Sequence, residues 1–78
     1  MPRYYFHLYN NITVRDEEGM VLPDMSLAVA EAVRSVRSLA SAEVTEGRLR
    51  LSDRIEIADE RGVVLTAVTF KDAIKVQD

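Results

Sequence analysis

Residues 4–9 read Tyr4-Tyr5-Phe6-His7-Leu8-Tyr9, and the fold is decided by how this alternation is placed. A period of two puts Tyr4, Phe6 and Leu8 on one face of a strand and Tyr5, His7 and Tyr9 on the other. All three tyrosines, the only histidine and one of the two phenylalanines therefore share one strand. A sheet carrying bulky rings on both faces has to cover both, or use one of them to bind something.

Working outward, Asn10-Asn11 marks a turn, because Asn tolerates left-handed backbone angles. A three-residue loop of Tyr9, Asn10 and Asn11 would pair Leu8 with Ile12 and Phe6 with Val14. A two-residue Asn10-Asn11 loop would instead put Ile12 and Val14 on the tyrosine face. The first register is expected, since it gathers Phe6, Leu8, Ile12 and Val14 on one buried face.

After the acidic loop Asp16-Glu17-Glu18-Gly19, Leu22-Pro23-Asp24 leads into a helix expected from Met25 to about Glu46, with Gly47 as its C-terminal cap. Asp24 is the expected N-cap, with Ser26 as the alternative. Met25, Val29, Ala32, Val33, Val36, Leu39, Ala40 and Val44 fall within an arc of roughly 140° at 100° per residue. Glu43 interrupts that arc. It reads either as a buried carboxylate of raised pKa or as a residue on a last turn that overhangs the sheet, and the second is expected. A helix of this length runs to roughly 33 Å, while four strands make a sheet about 19 Å wide.

The second hairpin is the clearest local signal. Arg54-Ile55-Glu56-Ile57-Ala58 alternates, Asp59-Glu60-Arg61-Gly62 turns, and Val63 to Phe70 returns. Asp at the start of a type I turn and Gly at a left-handed bulge position form a three-residue hairpin loop. That register pairs Ile57 with Leu65 and Ile55 with Ala67. Ile55, Ile57, Leu65 and Ala67 then face the helix, in one core with Phe6, Leu8, Val29, Val33 and Val36. Val64, Thr66, Val68 and Phe70 would face the opposite side, beside Tyr5 and Tyr9. The tail, Lys71 to Asp78, reads as one helical turn at Asp72-Ala73-Ile74 or as a short edge strand through Ile74 and Val76.

The fold expected is α+β: two antiparallel β-hairpins flanking one long amphipathic helix (ββαββ), with a four-stranded sheet and the helix on one face. A chain of 78 residues, 47% hydrophobic and 29% charged, suits one globular domain over residues 1–78. It contains no cysteine, so disulfides and thiolate metal sites are excluded. No signal peptide is expected. No apolar run approaches the roughly 20 residues of a membrane span, and the expected location is cytoplasmic.

The opening Met1-Pro2-Arg3-Tyr4-Tyr5-Phe6-His7, the Asp16-Glu17-Glu18-Gly19 loop, Leu22-Pro23-Asp24, and Ile55 to Glu60 with Gly62 carry a resemblance over nearly the whole chain. It resembles a family of small bacterial single-domain proteins of unknown function, many of which start Met-Pro-Arg-Tyr-(Phe/Tyr)-Phe-His. Many members carry a longer Asp-Gly loop where this chain has Asn10-Asn11, and proline is common at the position of Thr69. The resemblance implies a compact ββαββ unit and supplies no activity, cofactor or site residue.

The residues point to no enzyme. With His7 the only imidazole, one chain cannot build a two-histidine metal site. A Ser-His-Asp triad has no nucleophile-elbow motif behind it, and His7 reads as a hydrogen-bonded strand residue. Asp16-Glu17-Glu18 lacks the spaced Asp/Asn-Gly ligands of calcium loops and reads as a solvated turn. No glycine-rich phosphate loop exists, and neither a cofactor nor a metal is expected.

The surface that stands out is the outer sheet face, with Tyr5, His7, Tyr9, Val64, Val68 and Phe70 as interface candidates. An apolar patch of several hundred Å² there would suit self-association, as a homodimer, or binding of another protein. The competing reading is a monomer whose tail folds back over that face through Ile74 and Val76. Single-stranded nucleic acid stacked on Tyr5, His7 and Tyr9 is the alternative ligand. It needs cations near the rings, with Arg3 and Arg15 the nearest in sequence, and the net charge of −3 argues against it.

Overall fold

A computed structural model describes residues 1–77; Asp78, the end of the expected tail, lies outside the described residues. The N-terminal alternation forms β1 (Arg3–Tyr9). Tyr4 is buried in the core, and Phe6 and Leu8 pack against it.

The returning arm of the first hairpin is split in two. β2 (Thr13–Val14) pairs with the far end of β1, Leu8 opposite Val14 and Tyr9 opposite Thr13. β3 (Met20–Val21) pairs with its beginning, Arg3 opposite Val21 and Tyr4 opposite Met20. The expected pairing of Leu8 with Ile12 and Phe6 with Val14 is therefore not made. Asn10 is the reason: its Oδ1 accepts from the Ile12 amide while its own amide donates to the Ile12 carbonyl, at 3.1 Å each. These bonds draw Ile12 into the turn, and both Ile12 and Val14 are exposed.

Asp24 caps α1 (Met25–Thr45), its Oδ1 accepting from the Leu27 amide at 3.0 Å. The buried line of α1 is Ala28, Ala32, Val36 and Ala40, spaced every four residues, with Met25, Val29, Val33 and Leu39 packed along its sides. Alanine at three of those four positions leaves the interior to be filled from the sheet and tail. Val44, also expected on the apolar arc, is exposed.

β4 (Arg54–Ala58) and β5 (Val64–Thr69) form the second hairpin with the expected loop. Asp59 N–H donates to the Val63 carbonyl, Gly62 N–H donates to the Asp59 carbonyl, and Gly62 has φ +84. The register beyond the loop differs from expectation. Ala58 lies opposite Val64, but Ile57 lies opposite Thr66, so Leu65 is an extra residue in a β-bulge. The bulge reverses the faces of everything after it. Val68 lies opposite Ile55 in the core, while Leu65 is 43% exposed and Ala67 is exposed as well.

Phe70 is wholly buried, corrected like Val68 from the outer face to the core. It begins α2 (Phe70–Ala73), a single helical turn that starts two residues before the expected Asp72-Ala73-Ile74 and has Ile74 as its C-cap. Thr69 and Asp72 form its capping box: Thr69 Oγ1 accepts from the Asp72 amide and Asp72 Oδ2 accepts from the Thr69 amide. The Phe70 amide donates to the Asp53 carbonyl at 2.8 Å, and Arg37 Nε donates to the Ala73 carbonyl at 2.9 Å. The described part of the tail thus lies against α1 rather than over the outer face.

The architecture is α+β, with one main helix on one face of a five-stranded antiparallel sheet of order β2-β1-β4-β5, β3 also pairing with β1. Five strands replace the four expected because the arm after Asn11 is broken. Among the described residues no helix is long and apolar enough to cross a membrane.

Truncating Phe70 to Ala should cost about 3–5 kcal/mol in urea unfolding, whereas Leu65→Ala should stay within about 1 kcal/mol. The reverse ranking would restore the unbulged register.

Candidate interaction face

Cross-strand pairing organises the outer face into three rows over β1, β4 and β5. They are Tyr5–Ala58–Val64, His7–Glu56–Ala67 and Tyr9–Arg54–Thr69. Of the six candidates from sequence, Tyr5, His7, Tyr9 and Val64 come together here. Val68 and Phe70 do not, being in the core.

In the middle row His7 is sealed and Glu56 half-buried, while Ala67 is exposed. His7 is only 6% exposed, and its Nδ1 accepts from the Asp16 amide at 3.0 Å. This bond places the imidazole proton on Nε2. Asp16 is the centre of the broken hairpin arm. Its Oδ2 accepts from the Phe6 amide and its Oδ1 accepts from the Glu18 and Gly19 amides, all at 3.1 Å. Burial opposes the charge on Asp16, but the Gly19, Phe6 and Glu18 amides outweigh it and hold its pKa below the ordinary aspartate value. Gly19 completes the loop at φ +70, where a Cβ would come within 2.9 Å of the Tyr4 carbonyl oxygen. The Asp16 carboxylate is thus committed to backbone amides.

The third row contains an interaction that the sequence reading did not single out. Arg54 Cζ lies 4.6 Å from the centre of the Tyr9 ring, within cation–π range. The same guanidinium holds Glu56 Oε2 through Nη2 at 3.0 Å and Nε at 3.1 Å. The signal was present in the alternation, since Arg54 and Glu56 interleave with the buried Ile55 and Ile57.

The first row is apolar: Ala58 is buried, Tyr5 is half-buried, and Val64 is 50% exposed with Val63 and Leu65 exposed beside it. A cleft of about 170 Å³ opens among Tyr5, His7, Asp16 and Asp59. It is smaller than the roughly 300–1,000 Å³ of small-molecule sites, so a flat partner suits this face better than a small ligand. Among the described residues no group of three or more His, Asp or Glu side chains is placed to hold a metal ion.

A family model described as a domain of unknown function, DUF6894, matches residues 3–71. The chain belongs to the DUF6894 family. No curated protein and no solved structure matches it. The DUF6894 match takes in all three rows and the Asp16 loop, and it assigns a role to none of them.

A second polar cluster sits at the far end of α1. Glu43 does not simply overhang in water, as expected from helix length. It is half-buried, and its Oε1 accepts from the Arg50 amide at 3.1 Å. Its carboxylate faces Asp53, which is 6% exposed. Burial first, then the hydrogen bond and charge of Glu43, push the Asp53 pKa above the ordinary value, against the opposing pull of Arg50 and Arg48.

The two aspartates should leave opposite signatures in stability against pH. Asp16, lowered in the folded state, stabilises the fold above about pH 4, and this contribution is lost as the pH falls through its folded pKa. Asp16→Ala should cost roughly 2–4 kcal/mol at pH 7, with the gap to the parent narrowing in acid. Asp53, raised in the folded state, contributes stability only at low pH and loses it as the pH rises through its folded pKa. Asp53→Asn should therefore melt above the parent at pH 7, the advantage closing toward about pH 4. Thermal melts across pH check both, and parallel curves for either variant and the parent would contradict the assignment.

Proposed function

We propose that the protein is a non-enzymatic binding module that uses the outer face of its sheet, pairing with a second copy of itself or with another protein. The observation that carries this reading is the position of the tail. With α2 held against α1 by Arg37, the described tail does not cover the outer face, and Val63, Val64 and Leu65 stay exposed there beside the half-buried Tyr5. An apolar strip rimmed by satisfied polar groups is the usual anatomy of an interface. Arg54 stacked on Tyr9 suits the same purpose, since Arg and Tyr are enriched among residues that dominate binding. The proposed compartment is the cytoplasm.

The nucleic-acid alternative has less support. The His7 ring is buried, and Arg54 already occupies Tyr9 while its charge is paired with Glu56.

Sedimentation velocity over a wide concentration range tests the self-pairing form. The parent should assemble in a concentration-dependent way. Val64→Glu with Leu65→Glu, two exposed positions outside the core, should weaken assembly by about tenfold or more, equivalent to ~1.4 kcal/mol, with an unchanged melting temperature. A parent that remains monomeric throughout removes self-pairing. Tight binding of a short single-stranded RNA, lost in Tyr9→Ala and steeply dependent on salt, would replace the proposal.

A further inference from the structure

On the other side of the sheet, Arg37, Ala40, Ser41 and Val44 follow one another at i, i+3, i+4 and i+7 and so share one face of α1. Leu49, after the helix, and Ala73 to Val76, in the tail, wall this face on either side. Between them lie two adjoining depressions of about 590 and 390 Å³, which share Arg37, Ala73, Ile74 and Lys75. Their lining is amphipathic: Arg37 and Lys75 reach both, Ala40, Val44 and Leu49 line the smaller, and Lys71 stands with Asp72, Leu51 and Val76 in the larger.

Three features make this groove unlike ordinary surface. Val44 continues the apolar stripe of α1 beyond the sheet and is 59% exposed. Lys71 and Lys75 are the only lysines of a chain with net charge −3, and both stand here. Among the described residues none of Arg37, Lys71 and Lys75 makes a salt bridge. Asp72 lines the same depression, where its carboxylate accepts from the Thr69 amide and feels the Lys71 charge, so Arg37 and Lys75 are the cations with no acid bonded to them among the described residues. Arg37 is fixed by its bond to the Ala73 carbonyl, so its charge is held at the mouth of the groove.

We propose that this groove binds a free single-chain carboxylate of the fatty-acid class. The alkyl chain lies on Val44, Leu49 and Ile74, and the carboxylate sits among Arg37, Lys71 and Lys75. The run of α1 from Arg37 to Val44 is roughly 10 Å, a length that suits a short or medium chain. Concavity favours one chain over a bilayer, because surface-binding proteins press a protruding apolar face into the membrane. The site lies across the sheet from the outer face and does not depend on the reading given for that face.

The test is an amide-shift titration of the full chain with decanoate below its micelle concentration. Parallel titrations use acetate, decyltrimethylammonium and vesicles of anionic phospholipid. Decanoate should shift Ala40, Val44, Leu49 and Ile74 saturably, while acetate and the cationic amphiphile leave them in place. Lys71→Glu with Lys75→Glu should weaken decanoate binding about tenfold. Lys71→Gln with Lys75→Gln serves as the milder pair if reversal disturbs folding, and Val44→Asp should abolish binding without moving the core signals. Equal binding of decyltrimethylammonium, shifts centred elsewhere, undiminished affinity in the lysine pairs, or a response to vesicles alone would each overturn the proposal.

Discussion

The extra residue at Leu65 separates a hairpin turn that obeys one register from a strand that obeys another. Because side chains alternate with a period of two, one inserted residue exchanges the inner and outer faces of everything beyond it. Val68 and Phe70 move inward, where Phe70 supplies the volume that the alanine line of α1 does not. Thr69 is brought to the start of α2 with its hydroxyl on the Asp72 amide. The turn that follows carries the tail toward α1 and away from the tyrosine face. The inward turn of Val68 and Phe70 and the course of the tail therefore follow from one bulge.

The same elementary physics acts in opposite directions at the two polar clusters. Asp16 meets three backbone amides that the broken hairpin arm leaves without strand partners, so its charge substitutes for missing ladder bonds. Asp53 meets another carboxylate in a buried corner, so its charge is the unfavourable form. One aspartate ties the acidic loop to β1. The other sits between the end of α1 and the segment entering β4, where its backbone carbonyl accepts from the Phe70 amide. Asp53 is thus held in place by its main chain rather than by its side chain.

Local signals made much of the fold legible. Asp24 and Gly47 bound the helix, Asp59 to Gly62 form the predicted loop, and the alternation of residues 4–9 gives the right faces of β1. The misreadings occur where the pattern carries no phase. Val63 to Phe70 is apolar at nearly every position, so a shift by one residue changes no obvious periodicity. The Thr69-x-x-Asp72 spacing was the available clue that the strand ends before Phe70. In the first hairpin, a side-chain bond from Asn10 moved the loop by one residue, which backbone preference alone does not reveal. The candidate face was read correctly where β1 and the residues nearest the turn define it, and wrongly beyond the bulge.

The edges of the sheet bear on how the outer face could meet a partner. Exposed edge strands invite pairing through free amides and carbonyls. Here β5 is interrupted by the bulge, and its Thr69 amide is taken by Asp72. On the opposite edge β2 and β3 have two residues each and are separated by the Asp16 loop, whose carboxylate takes the Phe6 amide. Neither edge offers a long regular ladder for strand addition. Association by main-chain pairing is disfavoured on both sides, and contact through side chains on the face remains. The centre of that face is already internally paired, His7 with the Asp16 amide and Glu56 with Arg54. The exposed Val63, Val64 and Leu65 are therefore where burial against a partner would gain most.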